Sequence, residues 1–248
     1  MLVDSNFLIL GLAVFGASVL QAATGIGYGV IVGPIFLVLL NGTEAFQIST
    51  AHNLLIALIL LPFVLAKIDR TILKHLIVGS CIGIPAGFLL QLTVSITFLK
   101  LFSAVIVGLI TISLGVSMAT PNIQKSRIKV SSWESRLIGM IAGFMGGTLA
   151  MPGPATSTWM SVRGWNKEAV RSTVLSFFVF AYGANAVLHV MYSDISQATM
   201  RLTLTLAPVV VLGILFGNII SKFVSERVFK IILLIVLILT VLGLLASL

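Results

Sequence analysis

An uncharged run extends from residue 7 to residue 40, and its length limits what the chain can fold into. One bilayer crossing needs about 20 apolar residues, so the run is too long for one crossing and too short for two crossings with a loop. A cluster of helix breakers lies in the second half of this run, namely Gly25, Gly27, Gly29, Gly33 and Pro34. We therefore predict a re-entrant helical hairpin that is broken between Thr24 and Gly29.

A second uncharged run, residues 137–162, carries the same kind of interruption. Its helix breakers are Gly143, Gly146, Gly147, Pro152, Gly153 and Pro154. Lipid offers no hydrogen-bond partner, so non-helical backbone at membrane depth survives only where protein buries it or where it lines a wet cavity. The two breaks therefore predict a substrate site between them, near the bilayer midplane.

Composition sets the class of protein. Of the 248 residues, 58% are hydrophobic and only 9% are charged, and the mean hydropathy is +1.17. These values lie far outside the range of soluble domains, so we predict an all-α polytopic protein in the lipid bilayer. The net charge of +8 does not indicate nucleic-acid binding, because the cations lie in short loops where they anchor a membrane protein. The lone Cys81 offers no disulfide or cysteine metal site, and we expect neither metal nor cofactor.

The chain also divides into two similar halves around a linker. Gly83 and Gly87 precede Lys100 at the same spacing at which Gly213 and Gly217 precede Lys230. Several such matches in the same order predict a duplication. The predicted first half, residues 1–119, has a hairpin at 7–40 and helices at 49–66, 76–92 and 99–118. The linker is 120–136, and the second half, 137–248, has a hairpin at 137–162 and helices at 172–191, 202–220 and 231–248.

Loop charges predict the orientation in the membrane. If each of the eight apolar runs crossed once, Lys and Arg would divide evenly between the two faces, against the positive-inside rule. If both broken segments return to their own side, every loop cation except Lys100 and Arg201 lies on the cytoplasmic face. This prediction places both termini outside and makes the two halves inverted repeats, an architecture typical of secondary transporters. Eight simple crossings are the alternative.

The Gly-rich break followed by Pro34, its counterpart from Gly143 to Pro154, and the duplicated layout resemble the sulfite exporter TauE/SafE family. This family is also called the four-toluene-sulfonate uptake permease family, and the similarity spans the whole chain. The resemblance implies transport of small anions across the bacterial inner membrane, with sulfite, sulfoacetate and other organosulfonates as substrates. It leaves open the substrate, the direction of transport and the oligomeric state.

Backbone and hydroxyl groups at the two breaks are candidate ligands for such an anion. The start of a helix presents unpaired N–H groups and the positive end of the helix dipole, which suit a sulfonate or a carboxylate. The alternative is that the glycines spaced by four serve only close helix packing, although packing does not explain the prolines of the second break. The candidate residues are Thr24, Gly25, Gly27, Gly29, Gly153, Thr156 and Ser157.

Other polar residues in apolar segments are also candidates. The amides of Gln21, Asn53 and Asn185 need either a hydrogen-bond partner or a function, and we include them in the predicted substrate site. No acidic residue lies well inside a span, so the sequence does not predict a carboxylate proton relay. His52 and Glu44 are the candidate proton-coupling residues, and Glu44 has the alternative role of favouring the start of the next helix.

Two tryptophans and one arginine follow the second break. We expect Trp159 and Trp165 to lie in an interfacial aromatic belt, and Arg163 to be a lone cytoplasmic anchor rather than an attractor of anions.

Function classes other than transport have little support in the sequence. No zinc-binding His-Glu-x-x-His motif, Walker motif or pair of membrane carboxylates occurs, so we predict a secondary transporter and not an enzyme. The alternative is a structural or accessory subunit of a membrane complex, and an intramembrane enzyme is the weaker second alternative. Small anions, the bilayer and a coupling proton are the expected partners.

Overall fold

A computed structural model of the protein describes residues 2–25, 27–119, 130–220 and 226–248. Over these ranges the chain forms ten α-helices and two 3-10 turns, without a strand, so the predicted all-helical class is confirmed. The helices are α1 (Leu2–Thr24), α2 (Tyr28–Leu40), α3 (Glu44–Leu60), α4 (Arg70–Thr93), α5 (Ile96–Ala119), α6 (Ser132–Leu149), α7 (Gly153–Val162), α8 (Lys167–Tyr192), α9 (Gln197–Ile220) and α10 (Glu226–Ala246).

Six helices in the described ranges are long and apolar enough to cross a membrane, namely α1, α3, α4, α5, α8 and α9. This finding agrees with the prediction of a polytopic membrane protein. Most of these helices extend beyond the predicted apolar spans, because charged and polar residues at the ends of the spans are helical too. The inverted relation between the two halves of the sequence stays a prediction.

The two predicted hairpins correspond to α1 with α2 and to α6 with α7. Most of the predicted linker, residues 120–129, lies outside the described residues. Its last residues are helical, because α6 begins at Ser132. Ser131 supplies the N-cap there, since its side chain accepts a hydrogen bond from the Glu134 N–H.

The third helix differs from its prediction of 49–66. It begins at Glu44, and the Glu44 carboxylate lies in the first turn, where it interacts favourably with the positive end of the helix dipole. This position agrees with the proposal that Glu44 favours the start of the helix. It ends at Leu60, where two 3-10 turns follow, Leu61–Phe63 and Leu65–Lys67. Pro62 lies in the first of these turns, and because it has no N–H group it cannot continue the α-helical bonding pattern.

The chain forms two compact units, and each unit takes helices from both halves of the sequence. Unit 1 comprises Met1–Ser49, Val94–Asn122 and Ser196–Leu248, and unit 2 comprises Thr50–Thr93 and Ile123–Ile195. The compact units are therefore different from the sequence halves.

In unit 2, α4 and α6 pack backbone against backbone. A Cβ atom on Gly79, Gly83 or Gly87 would collide with carbonyl oxygens of α6, and one on Gly139 or Gly147 would collide with the backbone of α4. Their spacing of four puts Gly79, Gly83 and Gly87 on one helix face and predicts close packing there, and the structure confirms this prediction. Successive glycines of α4 meet successive turns of α6, at Arg136, Met140 and Phe144, so the two helices run parallel.

In unit 1, α9 packs on α1 in the same way. A Cβ atom on Gly213 would meet Ser18, and one on Gly217 would meet Val19 and Ala22. The contacts advance along both chains together, so α1 and α9 are also parallel. The start of α5 lies beside the end of α10, where Lys100 Nζ donates to the Ser247 carbonyl oxygen at 3.0 Å.

Candidate functional site

The first break depends on glycine. α1 ends at Thr24 and α2 begins at Tyr28, and between them Gly25 has φ 86° and Gly27 has φ 136°. Side chains are strained in this part of the dihedral map, so the turn needs glycine at these positions. The predicted interruption of the first apolar run is therefore present in the backbone.

The chain caps its own second helix at this break. Gln21 Oε1 accepts a hydrogen bond from the Tyr28 N–H at 2.8 Å. This bond satisfies one of the N–H groups that have no acceptor within the helix. The N–H groups of Gly29 and Val30 are the remaining first-turn donors, since the Ile31 N–H already donates to the Gly27 carbonyl oxygen. The Thr24 hydroxyl donates to the Leu20 carbonyl oxygen at 2.8 Å, so its hydrogen is engaged with backbone.

The second break has a different local structure. α6 ends at Leu149, and Ala150 follows in the left-handed region with φ 55°. The Ala150 N–H donates to the Gly146 carbonyl oxygen and the Met151 N–H to that of Met145, which closes the helix end. This conformation costs free energy for a residue other than glycine, and an outside contact stabilises it. Tyr182 on α8 donates its hydroxyl hydrogen to the Ala150 carbonyl oxygen at 3.1 Å.

Prolines reduce the number of N–H donors where α7 begins. Pro152 occupies the N-cap position and Pro154 lies in the first turn, and neither has an N–H group. The first-turn donors of α7 are therefore the N–H groups of Gly153 and Ala155. Two predicted hydroxyl ligands bond to the backbone of their own helix: Thr156 donates to the Gly153 carbonyl oxygen at 2.9 Å and Ser157 to that of Pro154 at 3.4 Å.

Asn185 is the predicted site residue that the structure brings to the second break. Its Nδ2 donates to Thr50 Oγ1 at 3.0 Å and to the Gly146 carbonyl oxygen at 3.3 Å. Its Oδ1 is buried and has no hydrogen-bond partner among the described residues. A carbonyl oxygen can only accept, so the contact with Gly146 fixes which end of the amide is the oxygen.

The other predicted residues divide between the two units. Gln21, Thr24, Gly25, Gly27, Gly29 and Glu44 belong to unit 1, and His52, Asn53, Gly153, Thr156, Ser157 and Asn185 belong to unit 2. His52 and Asn53 are buried in α3. The sequence analysis missed Tyr182, because a tyrosine in an apolar span is usually explained by packing alone.

Charged residues around α7 bear on two expectations. Trp159 and Trp165 are buried, and their Nε1 groups donate to Glu134 at 2.7 Å and to Asp69 at 3.1 Å. Both indoles therefore have acidic partners inside unit 2, and their position at the membrane interface stays a prediction. Arg163 is not a lone anchor, since its guanidinium lies 2.6 Å from the Glu134 carboxylate.

A comparison with known protein families identifies the family of this chain. The family model described as "Sulfite exporter TauE/SafE" matches residues 10–244. The match extends from α1 into α10, so it includes both breaks. No curated protein and no solved structure matches the chain.

Proposed function

Since the chain belongs to the sulfite exporter TauE/SafE family, we propose that it is a secondary transporter of small sulfur-containing anions. It is a multi-pass membrane protein of a transporter family, and we place it in the bacterial inner membrane. Sulfite, sulfoacetate and other organosulfonates are the proposed substrates, and a proton is the proposed coupling ion. We propose that it has neither enzymatic activity nor a cofactor.

The main support for this proposal is the structure of the second break. Its backbone leaves the helical path at Ala150, and α8 holds it there through Tyr182 and Asn185. Asn185 Oδ1 lies buried beside the break without a partner. Helix packing alone does not explain a break at this place. A binding site does, because it needs backbone groups without helical partners next to a polar side chain.

The starts of α2 and α7 supply donors for an anion. Each presents two first-turn N–H groups, those of Gly29 and Val30 in one helix and those of Gly153 and Ala155 in the other. Helix dipoles add positive potential at the same places. We propose a set of anion ligands in each unit, namely the α2 donors with Gln21, Gly25 and Gly27 in unit 1, and the α7 donors with Asn53 and Asn185 in unit 2. Thr24, Thr156 and Ser157 can contribute hydroxyl donors only if these rotate away from their present carbonyl partners.

Contacts at helix ends support a second broken segment that returns to its own side. Lys67 pairs with Glu168, and between them the chain runs through α4, α5 and the α6–α7 segment. α4 and α5 together return the chain to the same face, so α6–α7 adds no net crossing. If the shorter apolar helix α10 also crosses, Lys100 and Ser247 lead to the same result, because α5, α8, α9 and α10 then contribute four crossings between them.

Helix direction supports the same interpretation of the first broken segment. α1 and α9 are parallel, so they begin on the same side. Between their starts, α3, α4, α5 and α8 contribute four crossings and α6–α7 contributes none. The α1–α2 segment must then also return to its own side.

Helix length supports a break deep in the bilayer. α7 has 10 residues, so it is about 15 Å long, roughly half the thickness of the hydrocarbon core. Its C-cap is the charged Arg163, which suits the membrane surface. If Arg163 marks that surface, α7 is too short to cross the hydrocarbon core, which agrees with a break inside the bilayer.

The test is anion flux in proteoliposomes that contain the purified protein. We expect uptake or efflux of sulfite or sulfoacetate above the rate of protein-free liposomes, with a change in rate when a pH gradient is imposed if a proton is coupled. Folded protein that moves none of these anions in either direction would refute the proposed function.

A further inference from the structure

Unit 2 holds a group of buried polar atoms that the description of the second break does not explain. Asn185 Oδ1, His189 Nε2 and both amide atoms of Gln91 lack a hydrogen-bond partner among the described residues. All three side chains are at most 3% exposed. Burying an amide or an imidazole without a partner is costly, so several unpaired groups on neighbouring helices indicate a ligand.

These residues lie on two helices that meet beside the second break. The His189 ring on α8 meets the Phe88 ring on α4 edge to face, with 5.0 Å between the centroids. Gln91 is one helical turn after Phe88, and Asn185 is one turn before His189. α6 reaches the same place, because Thr148 Oγ1 donates to the Gly87 carbonyl oxygen at 3.1 Å. All three residues therefore lie within about one helical turn of the contact between α4 and α8.

Their hydrogen-bonding roles restrict the ligand. Asn185 Oδ1 can only accept, since its Nδ2 donates to the Gly146 carbonyl oxygen. Gln91 offers an amide donor and an acceptor. His189 Nδ1 lies 3.4 Å from Ser193 Oγ, and when that hydroxyl donates to Nδ1, Nε2 carries a hydrogen and can donate. These groups therefore match a ligand that has oxyanion oxygens as acceptors and one O–H group as a donor.

We propose that Gln91, Asn185 and His189 bind the transported anion in a form that keeps one O–H group, such as hydrogensulfite. The O–H group donates to Asn185 Oδ1, and the oxyanion accepts from Gln91 Nε2 and His189 Nε2. A dianion without a proton would place its lone pairs against Asn185 Oδ1 and be repelled. This inference rests on the proposed function, and it names the ionic form of the substrate and the side chains that select it.

The sharpest test uses two anions that differ in one group. Methanesulfinate replaces the hydroxyl of hydrogensulfite with a methyl group of similar size and keeps the two oxyanion oxygens. We expect the wild-type protein to bind hydrogensulfite about tenfold or more tightly than methanesulfinate, because the methyl group leaves Asn185 Oδ1 unpaired. Calorimetry on one detergent-purified preparation measures both affinities.

A variant with a matched control separates binding from folding. Gln91→Leu removes an amide that has no protein partner, so we expect an unchanged or higher thermal midpoint together with roughly tenfold weaker binding of hydrogensulfite. Ser176→Ala is the control on α8, because the buried Ser176 hydroxyl already donates to the Ser172 carbonyl oxygen at 2.8 Å. We expect this control to bind as the wild type does.

Equal affinities for the two anions, or a Gln91→Leu protein that binds hydrogensulfite as the wild type does, would overturn the inference. If proteoliposomes still carried both anions at similar rates, the proposed transport function would stand without the O–H requirement. If folded protein moved neither anion, the proposed function would fail and this inference with it.

Discussion

The two helix breaks reach a similar result by opposite means. The first uses residues whose own backbone permits the turn, Gly25 and Gly27, and a cap from the neighbouring Gln21. The second turns at Ala150, which resists a left-handed conformation, and depends on Tyr182 and Asn185 from α8. The first break is therefore specified locally, whereas the second is imposed by packing within unit 2.

This difference changes where a mutation has its effect. A locally specified turn fails when its own residues change. The turn at Ala150 is lost when its partners on α8 change, because those partners stabilise it. Its position also follows that of α8. The second break is thus the one whose geometry a shift of α8 can alter.

The largest effect we predict is an all-or-none labelling pattern that tests whether both breaks return the chain to its own side. In a Cys81-free protein, cysteines at Trp133 and Lys167 should react with an impermeant thiol reagent from one face, and cysteines at Leu2 and Asn41 from the other. The physical reason is the even number of crossings that we propose from the helix contacts. Labelling of Trp133 and Lys167 positions from opposite faces would show that the second break is part of a crossing helix.

The next largest effect concerns the packing beneath the second break. Gly83→Ala places a Cβ atom against the Met140 carbonyl oxygen, and backbone cannot move aside as a side chain can. We expect a loss of about 1–3 kcal/mol or more in the free energy of unfolding, seen as low yield and a lower thermal midpoint.

Two variants provide the comparison for Gly83→Ala. Gly108→Ala has no atom within 4 Å of the new Cβ and should behave as the wild type or slightly better. In unit 1, Gly213→Ala meets first the Ser18 side chain and should lose less than Gly83→Ala. A Gly83→Ala protein as stable as Gly108→Ala would contradict the backbone contact between α4 and α6.

A smaller effect tests the local specification of the first break. Gly27→Ala forces a side chain into a conformation at φ 136°, so we expect a loss of about 1–3 kcal/mol in the free energy of unfolding. The control is Gly153→Ala at the second break, since Gly153 is the first residue of α7 and does not have a positive φ. Thermal unfolding in detergent measures both, and equal midpoints would contradict the contrast between the breaks.

The smallest effect tests whether the hydrogen bond from α8 stabilises the second break. Tyr182→Phe removes the hydrogen bond to the Ala150 carbonyl oxygen and keeps the ring, so we expect a loss of about 0.6 to 1.5 kcal/mol. Anion flux should fall by more than this small loss of stability explains, because the break changes shape. The control on the same helix is Ser176→Ala, since the Ser176 hydroxyl donates to the Ser172 carbonyl oxygen within α8. Unchanged flux in Tyr182→Phe would show that α8 does not position the second break.

Much of the fold could be predicted from the sequence because membrane helices depend on local properties. Uncharged runs located the spans, and Gly79, Gly83 and Gly87 at a spacing of four predicted one close-packing face. The partner of that face could not be predicted, since the pairing of α4 with α6 is a long-range contact that periodicity does not encode. The third helix began earlier than predicted because Glu44 and its polar neighbours are helical.

The candidate site was less predictable than the fold. Gly25 and Gly27 are visible in the sequence because glycine is the residue that positive φ requires. Ala150 is not, because nothing about an alanine indicates a left-handed turn. Tyr182, Gln91 and the acidic partners of the two tryptophans were missed for the same reason, since each role depends on which helix lies opposite.

The pairing of α1 with α9 has a consequence for how the protein is made. Residue 18 leaves the ribosome long before residue 213, and at 5–20 residues per second the interval is roughly 10 to 40 s. During synthesis the first hairpin must therefore wait in the insertion machinery or in lipid with its Ser18 face uncovered. α4 and α6 are much closer in sequence, so these two helices can pair long before α9 has emerged.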